Sequence, residues 1–146
     1  MAYADETKYS HSQNFWEVIH KSLRIATKEL KAITSLHLYN GNVSKFLPEL
    51  LDLPVDRIGV DAYTTNLCKF VGTSFKKFLE LGIVNSKNSL VESPETIVKC
   101  TKQVIEKIDP NGLALVPNRP LELVPRQIAI KKIKSLANAV KIINQK

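Results

Sequence analysis

Short apolar runs alternate with longer amphipathic stretches along this sequence, and that alternation limits the folds open to it. Apolar runs that favour strands lie at residues 33–39, 57–63 and 113–116. Apolar residues at helical spacing predict helices over residues 15–31, 93–108 and 125–143. Strands separated by helices usually form parallel sheets with right-handed crossovers. We therefore expect an α/β fold.

The length limits how much of such a fold this chain can complete. Two weak strands, at residues 2–4 and 83–84, raise the expected number to about five mostly parallel strands alternating with helices. A closed eight-stranded barrel takes about 250 residues, and this chain has 146. The sequence therefore predicts a partial (β/α) barrel, or an open sheet, in a single domain over residues 1–146.

Particular residues specify helix ends and one core position. Ser93, Pro94 and Glu95 form a strong helix start, with an N-cap, a proline at the first helical position and an acid near the positive end of the helix dipole. Residues 67–81 are predicted to be helical, and Gly82 is predicted to end that helix. Trp16 is expected to pack as a core anchor.

The charge of the chain is concentrated in its second half. The sequence has 21 Lys and Arg residues against 14 Asp and Glu, for a net charge of +7. Residues 74–146 hold thirteen of the basic and six of the acidic side chains, which accounts for the whole excess. Two cysteines are too few for a secreted disulfide scaffold, and no apolar run approaches the roughly 20 residues that span a bilayer. We expect a cytoplasmic protein.

The last predicted helix gives the strongest indication of a partner. No acidic residue occurs from residue 126 to 146, whereas solvated helices usually mix charges of both signs. Such a surface favours a polyanion, so we expect RNA as the partner, with either ribosomal RNA or ribosomal proteins being the partner on a ribosome; a solubilising lysine-rich surface is the alternative. The expected RNA-binding residues are Lys99, Lys102, Lys107, Arg119, Arg126, Lys131, Lys132, Lys134, Lys141 and Lys146.

Several short segments, taken in order, resemble one protein family. They include Ala4-Asp5-Glu6, Thr-Ser-Leu-His-Leu-Tyr at residues 34–39, Arg-Ile-Gly-Val-Asp at residues 57–61 and the proline-rich segment at residues 117–126. Together they resemble the C-terminal barrel segment of the cobalamin-independent methionine synthase family. Asp5 matches a family position that holds the homocysteine amine, which would place a relic amino-acid pocket there.

The resemblance also implies where a metal would bind. In that family a zinc ion holds homocysteine as a thiolate that attacks a methyl-folate, and its ligands are one His, two Cys and one Glu. The corresponding relic positions here are His37, Tyr39, Asp61 and Arg119. Thiolate and imidazole are the ligands that zinc prefers, and a guanidinium would instead carry a fixed positive charge. We therefore expect no metal and no cofactor.

Function is harder to predict than fold. We expect a non-catalytic pseudoenzyme, a basic RNA-binding accessory protein that is ribosome-associated or ribosomal. The alternative is a subunit of a split cobalamin-independent methionine synthase that transfers a methyl group to homocysteine, and a third possibility is a relic with only a protein partner. His37 and Asp61 could form an acid–base pair, or only a structural one. A partner chain, self-association or helices are expected to cover the open sheet edges.

Overall fold

Strands and helices alternate in the computed structural model, which describes residues 13–39, 41–72 and 75–145. The strands are β1 (Ser35–Leu38), β2 (Arg57–Asp61), β3 (Phe78–Val84) and β4 (Gly112–Pro117). The helices are α1 (Gln13–Thr27), α2 (Leu47–Asp52), α3 (Pro94–Ile105) and α4 (Arg126–Asn144). Short 3₁₀ turns occupy Val43–Phe46, Leu67–Phe70 and Leu121–Leu123.

The four described strands form one parallel sheet in the order β1-β2-β3-β4. Each strand pairs with the next one along the chain, as successive strands of a (β/α) barrel do. Within the described residues the sheet stays open, because β1 and β4 each have a strand neighbour on one side only. The predicted partial α/β barrel is therefore confirmed. The weak strand at residues 2–4 and Asp5 lie outside the described residues.

The two faces of the sheet differ in chemistry because side chains alternate along each strand. One face is aliphatic and forms the core with the helices and with the connection between β2 and β3. We call the opposite, polar face the inner face, since it corresponds to the interior of a barrel. The fully buried core residues include Ile58, Val60, Phe70, Leu79 and Leu81. Trp16 packs against this core, as predicted.

The connection between β2 and β3 differs from the prediction. Where a helix over residues 67–81 was expected, the chain makes a 3₁₀ turn and then enters β3 at Phe78. The spacing of the apolar residues in this segment is compatible with both a helix and a strand. Pairing with β2 and β4 stabilises the strand. Gly82 is therefore not a helix cap. It lies within β3, where a Cβ would be 2.8 Å from the Val60 carbonyl oxygen.

The start of α3 agrees with the prediction. The Ser93 hydroxyl oxygen accepts a hydrogen bond from the Thr96 amide at 3.2 Å, and Pro94 is the first helical residue. The last helix, α4, also lies within a residue of its predicted bounds at each end. In the part of the chain that the structure describes, no helix has both the length and the apolar character needed to cross a membrane.

Candidate functional site

The inner face of the sheet carries a polar cluster centred on Glu80 of β3. The Ser35 hydroxyl donates a hydrogen bond to Glu80 Oε2 at 2.7 Å. Arg57 Nη1 lies 3.7 Å from Glu80 Oε1, and His37 Nδ1 lies 3.9 Å from Oε2. The parallel register brings these side chains to one face, since His37 pairs with Gly59 and Gly59 with Glu80. One carboxylate thus connects β1, β2 and β3.

His37 fits on this face because a glycine lies opposite it in β2. A Cβ on Gly59 would be 2.5 Å from the imidazole Cγ of His37. Burial lowers the pKa of His37 from its usual value of 6.5, against the opposing charges of Glu80 and Asp61. Its Nε2 is buried and has no hydrogen-bond partner among the described residues. At neutral pH this imidazole is therefore uncharged, with one nitrogen unused.

Asp61, at the end of β2, is fully buried in a second network. Its Oδ1 accepts hydrogen bonds from the Tyr63 amide at 2.8 Å and from Asn118 Nδ2 at 3.2 Å. Asn118 Oδ1 in turn accepts from the Ser86 amide at 2.9 Å and the Ser86 hydroxyl at 2.8 Å. The network joins the ends of β2, β3 and β4. Asp61 is therefore held by the strand ends, and Glu80 is the carboxylate that lies 3.9 Å from His37 Nδ1.

Tyr39 and Arg119 meet at the same end of the sheet. Arg119 Cζ lies 5.9 Å from the centre of the Tyr39 ring, within the range of a cation–π contact. The centres of the His37 and Tyr39 rings are 6.2 Å apart. His37, Tyr39 and Arg119 line a cavity of about 300 Å³. The structure thus brings three of the four relic positions to one cavity, while Asp61 lies in the buried network of the strand ends.

These four residues do not fit a zinc ion. A catalytic zinc site needs about three thiolate, imidazole or carboxylate ligands and room for substrate. This edge offers one imidazole, one buried carboxylate, a phenol and a guanidinium. Within residues 13–39, 41–72 and 75–145, no group of three or more His, Cys, Asp or Glu side chains could hold a metal ion. We therefore assign no reaction step to a metal held by these residues.

A separate polar cluster surrounds Glu92, in the loop before α3. Lys132 of α4 is fully buried, and its Nζ lies 3.1 Å from Glu92 Oε2. The Asn85 amide donates to Glu92 Oε1 at 2.9 Å, and the Tyr63 hydroxyl donates to it at 3.2 Å. Lys132 also donates to the Leu90 carbonyl. The cluster fastens this loop to α4.

The ionisation of this cluster follows from the same contacts. Burial opposes ionisation of Glu92, yet hydrogen bonds from Asn85 and Lys132 hold its pKa below the usual value. Burial, and next the charge of Glu92, raise the pKa of Tyr63. At neutral pH Glu92 is therefore a carboxylate and Tyr63 a neutral phenol.

The basic residues predicted to bind RNA lie in different surroundings. The prediction that Lys132 contacts RNA is wrong, because its side chain is buried against Glu92 and cannot reach a phosphate. Lys102 and Arg119 are half-buried, and Lys146 lies outside the described residues. The exposed ones are Lys99 and Lys107 in or just after α3, and Arg126, Lys131, Lys134 and Lys141 on α4.

Comparisons with known proteins show what the chain is similar to. It is 27% identical over 127 residues to the methionine synthase of Thermococcus kodakarensis, covering 86% of this chain and 38% of that protein. It is 28% identical over 125 residues to that of Saccharolobus islandicus, covering 82% and 37%. The chain is related to the C-terminal barrel segment of methionine synthase. This confirms the resemblance seen in the sequence, although no protein-family model matches the chain.

The fold agrees with this relationship. A B12-independent methionine synthase from Shewanella sp. W3-18-1, solved in complex with selenomethionine, superimposes with a TM-score of 0.71 at 17% sequence identity. The superposition covers 90% of this chain and 45% of that one. The chain thus spans less than two-fifths of the curated methionine synthases it matches.

The relatives overturn two functional predictions. The chain was expected to be a non-catalytic pseudoenzyme and an RNA-binding, ribosome-associated or ribosomal protein. The relatives named above are all methionine synthases, which are enzymes, and none of them is named for RNA or the ribosome. Both predictions are wrong: the RNA-binding one gave the charge of one helix more weight than the resemblance of most of the chain, and the non-catalytic one rested on the replaced zinc ligands alone.

Proposed function

We propose that this chain is a subunit of a split methionine synthase, in which a second chain supplies further barrel strands and the complex transfers a methyl group to homocysteine. The observation that carries the proposal is the open sheet. Its four described strands lie in the order found in a barrel, and both outer edges are unpaired within the described residues. The chain matches only 38% of the length of the Thermococcus kodakarensis methionine synthase. Closure of a barrel requires a partner for each such edge. We also propose a cytoplasmic location, in keeping with the free cysteines Cys68 and Cys100.

The proposed substrate-binding end is the carboxyl end of the strands. Barrel enzymes place their active sites there, and His37, Tyr39 and Arg119 line a cavity at that end. A guanidinium suits a carboxylate, a group that homocysteine carries. Activation of the homocysteine sulfur is assigned to groups outside the four relic positions, since those residues do not fit zinc.

The test is an assay of the native complex. The chain is tagged at its chromosomal gene, the complex is purified, and methionine formed from homocysteine and a methyl-folate is measured. We expect activity in the complex and none in the isolated chain. Arg119→Ala should raise the KM for homocysteine about tenfold or more, as loss of a charged contact does. Arg24→Ala, at an exposed arginine of α1, is the matched control and should leave the KM unchanged.

A negative result is equally well defined. The proposal is wrong if the purified complex forms no methionine and cells without the gene grow equally well without added methionine. If Arg119→Ala and Arg24→Ala change the KM equally, the proposal of a split enzyme stands, but the cavity is not its substrate site.

A further inference from the structure

The helix α4 has an exposed apolar side in addition to the side that packs in the core. Leu136 and Ala139 are buried, whereas Ile130, Ile133 and Val140 are 45%, 46% and 37% exposed. Together with exposed Ala137, the last three recur every three or four residues, so they lie along one side of the helix. We call Ile130, Ile133, Ala137 and Val140 the apolar stripe. A stripe of this kind on a helix is typical of a surface that packs against another element.

Positive charge borders the apolar stripe. Lys134 and Lys141 directly follow stripe residues in sequence, Lys131 lies further round the same exposed half, and all three are exposed. No acidic residue occurs from residue 126 to 146, so α4 supplies no carboxylate of its own to these lysines. Lys132, by contrast, is neutralised by Glu92 inside the protein. A partner that covers the stripe therefore gains most if its flanks are negative.

The position of α4 shows where such a partner would lie. The helix contacts α3 and β4, and β4 is an outer strand of the sheet. In a closed (β/α) barrel, a further strand pairs with such an edge and a further helix packs beside the last one. The helix that carries the apolar stripe and the β4 edge that is unpaired within the described residues are thus neighbours, which one strand–helix unit can cover.

We propose that the apolar stripe and its lysines bind an acidic amphipathic helix of a partner protein. The proposal rests on the proposed function, because the partner is the chain that completes the barrel. A lipid surface would cover the isoleucines but offers no strand to the backbone groups of β4. A nucleic acid would neutralise the lysines but would leave the isoleucines in water. An acidic helix preceded by a strand meets all of these requirements.

The test uses two synthetic helical peptides as probes. Each carries a leucine face, and the flanking positions are glutamate in one peptide and lysine in the other. Fluorescence anisotropy with the full chain should show binding at least about tenfold tighter for the glutamate peptide. Changing Lys131, Lys134 and Lys141 together to Glu should reverse that preference.

Matched variants separate the stripe from general hydrophobicity. Ile133→Ser should weaken binding of the glutamate peptide about tenfold, whereas Ile142→Ser should not, although Ile142 is 40% exposed on the same helix. Equal binding of the two peptides, equal effects of the two serine variants, or displacement of the peptide by phosphatidylserine vesicles or by RNA would each overturn the proposal. Formation of a dimer through this surface by the chain alone would do the same.

Failure of the docking surface and failure of the proposed function give different results. If the native complex makes methionine and stays assembled when the three lysines are changed to Glu, the docking surface is wrong and the enzyme stands. If the glutamate peptide binds as expected and the complex makes no methionine, the docking surface stands and the enzyme is wrong.

Discussion

The ion pair between Lys132 and Glu92 predicts that two adjacent lysines of α4 differ widely in their effect on stability. The Lys132 side chain is fully buried and that of Glu92 is 12% exposed, with 3.1 Å between Nζ and Oε2. Lys132→Ala removes the cation and leaves the carboxylate largely buried without its partner, which costs about 3–5 kcal/mol. Lys131→Ala, at the exposed neighbour, should change the free energy of unfolding by less than about 0.5 kcal/mol.

Urea and thermal unfolding, followed by circular dichroism, measure both variants. Each kcal/mol shifts the melting temperature of a chain of this size by about 2–4 °C, so Lys132→Ala should melt roughly 6–20 °C lower. A double variant, Lys132→Met with Glu92→Gln, should recover much of this loss because neither buried charge remains. A loss below about 1 kcal/mol for Lys132→Ala, with Glu92 intact, would refute the reasoning.

Three further predictions concern the sheet, its edge and the pH response. Gly59→Ala places a Cβ 2.5 Å from the His37 ring, so it should lower the free energy of unfolding in urea by about 1–3 kcal/mol. Adding His37→Ala should restore part of this loss, and equal stability of the single variant and the unmodified chain would contradict the prediction. Metal analysis should find far less than one zinc per purified chain, and Tyr39→Cys with Arg119→Cys should gain zinc affinity; stoichiometric zinc in the unmodified chain would contradict this. The lowered pKa of Glu92 gives stability that is complete above its usual value of 4.5 and is lost as pH falls through the lower folded value. Glu92→Gln should therefore lose less unfolding free energy than the unmodified chain between about pH 5 and 3. Identical slopes of unfolding free energy against pH for the two proteins would rule this out.

The part of the fold that follows from the sequence is specified locally. β1, β2 and β4 are short apolar runs bounded by polar or turn-forming residues, and Ser93 caps α3 through its own side chain. β3 is different, because the residues around Leu79 suit a helix as well as a strand. Its conformation depends on pairing with β2 and β4, which lie far away along the chain. Local sequence therefore predicts β1, β2 and β4 and misassigns most of β3, which lies between two other strands.

The same dependence explains which site residues the sequence could not identify. Glu80 looks like an isolated acid in a predicted helix, and its contacts with Ser35 and Arg57 exist only once the register is set. The alternation of Phe78, Glu80 and Gly82 with aliphatic residues was the available signal. Lys132 gave no signal of its own, since helical spacing cannot show which lysine meets a buried carboxylate.

The end of the sheet shows how a barrel edge can keep its shape with a different set of side chains. Three of the four relic positions, His37, Tyr39 and Arg119, lie at one cavity, because their positions depend on strand order and length. What holds the edge is independent of any metal. Asp61 binds the Tyr63 amide and Asn118, and Glu80 connects three strands. Because these contacts already fix the backbone, residues 39 and 119 can differ from metal ligands without loss of the fold. The chemistry at this end of the sheet therefore depends on the side chains present there.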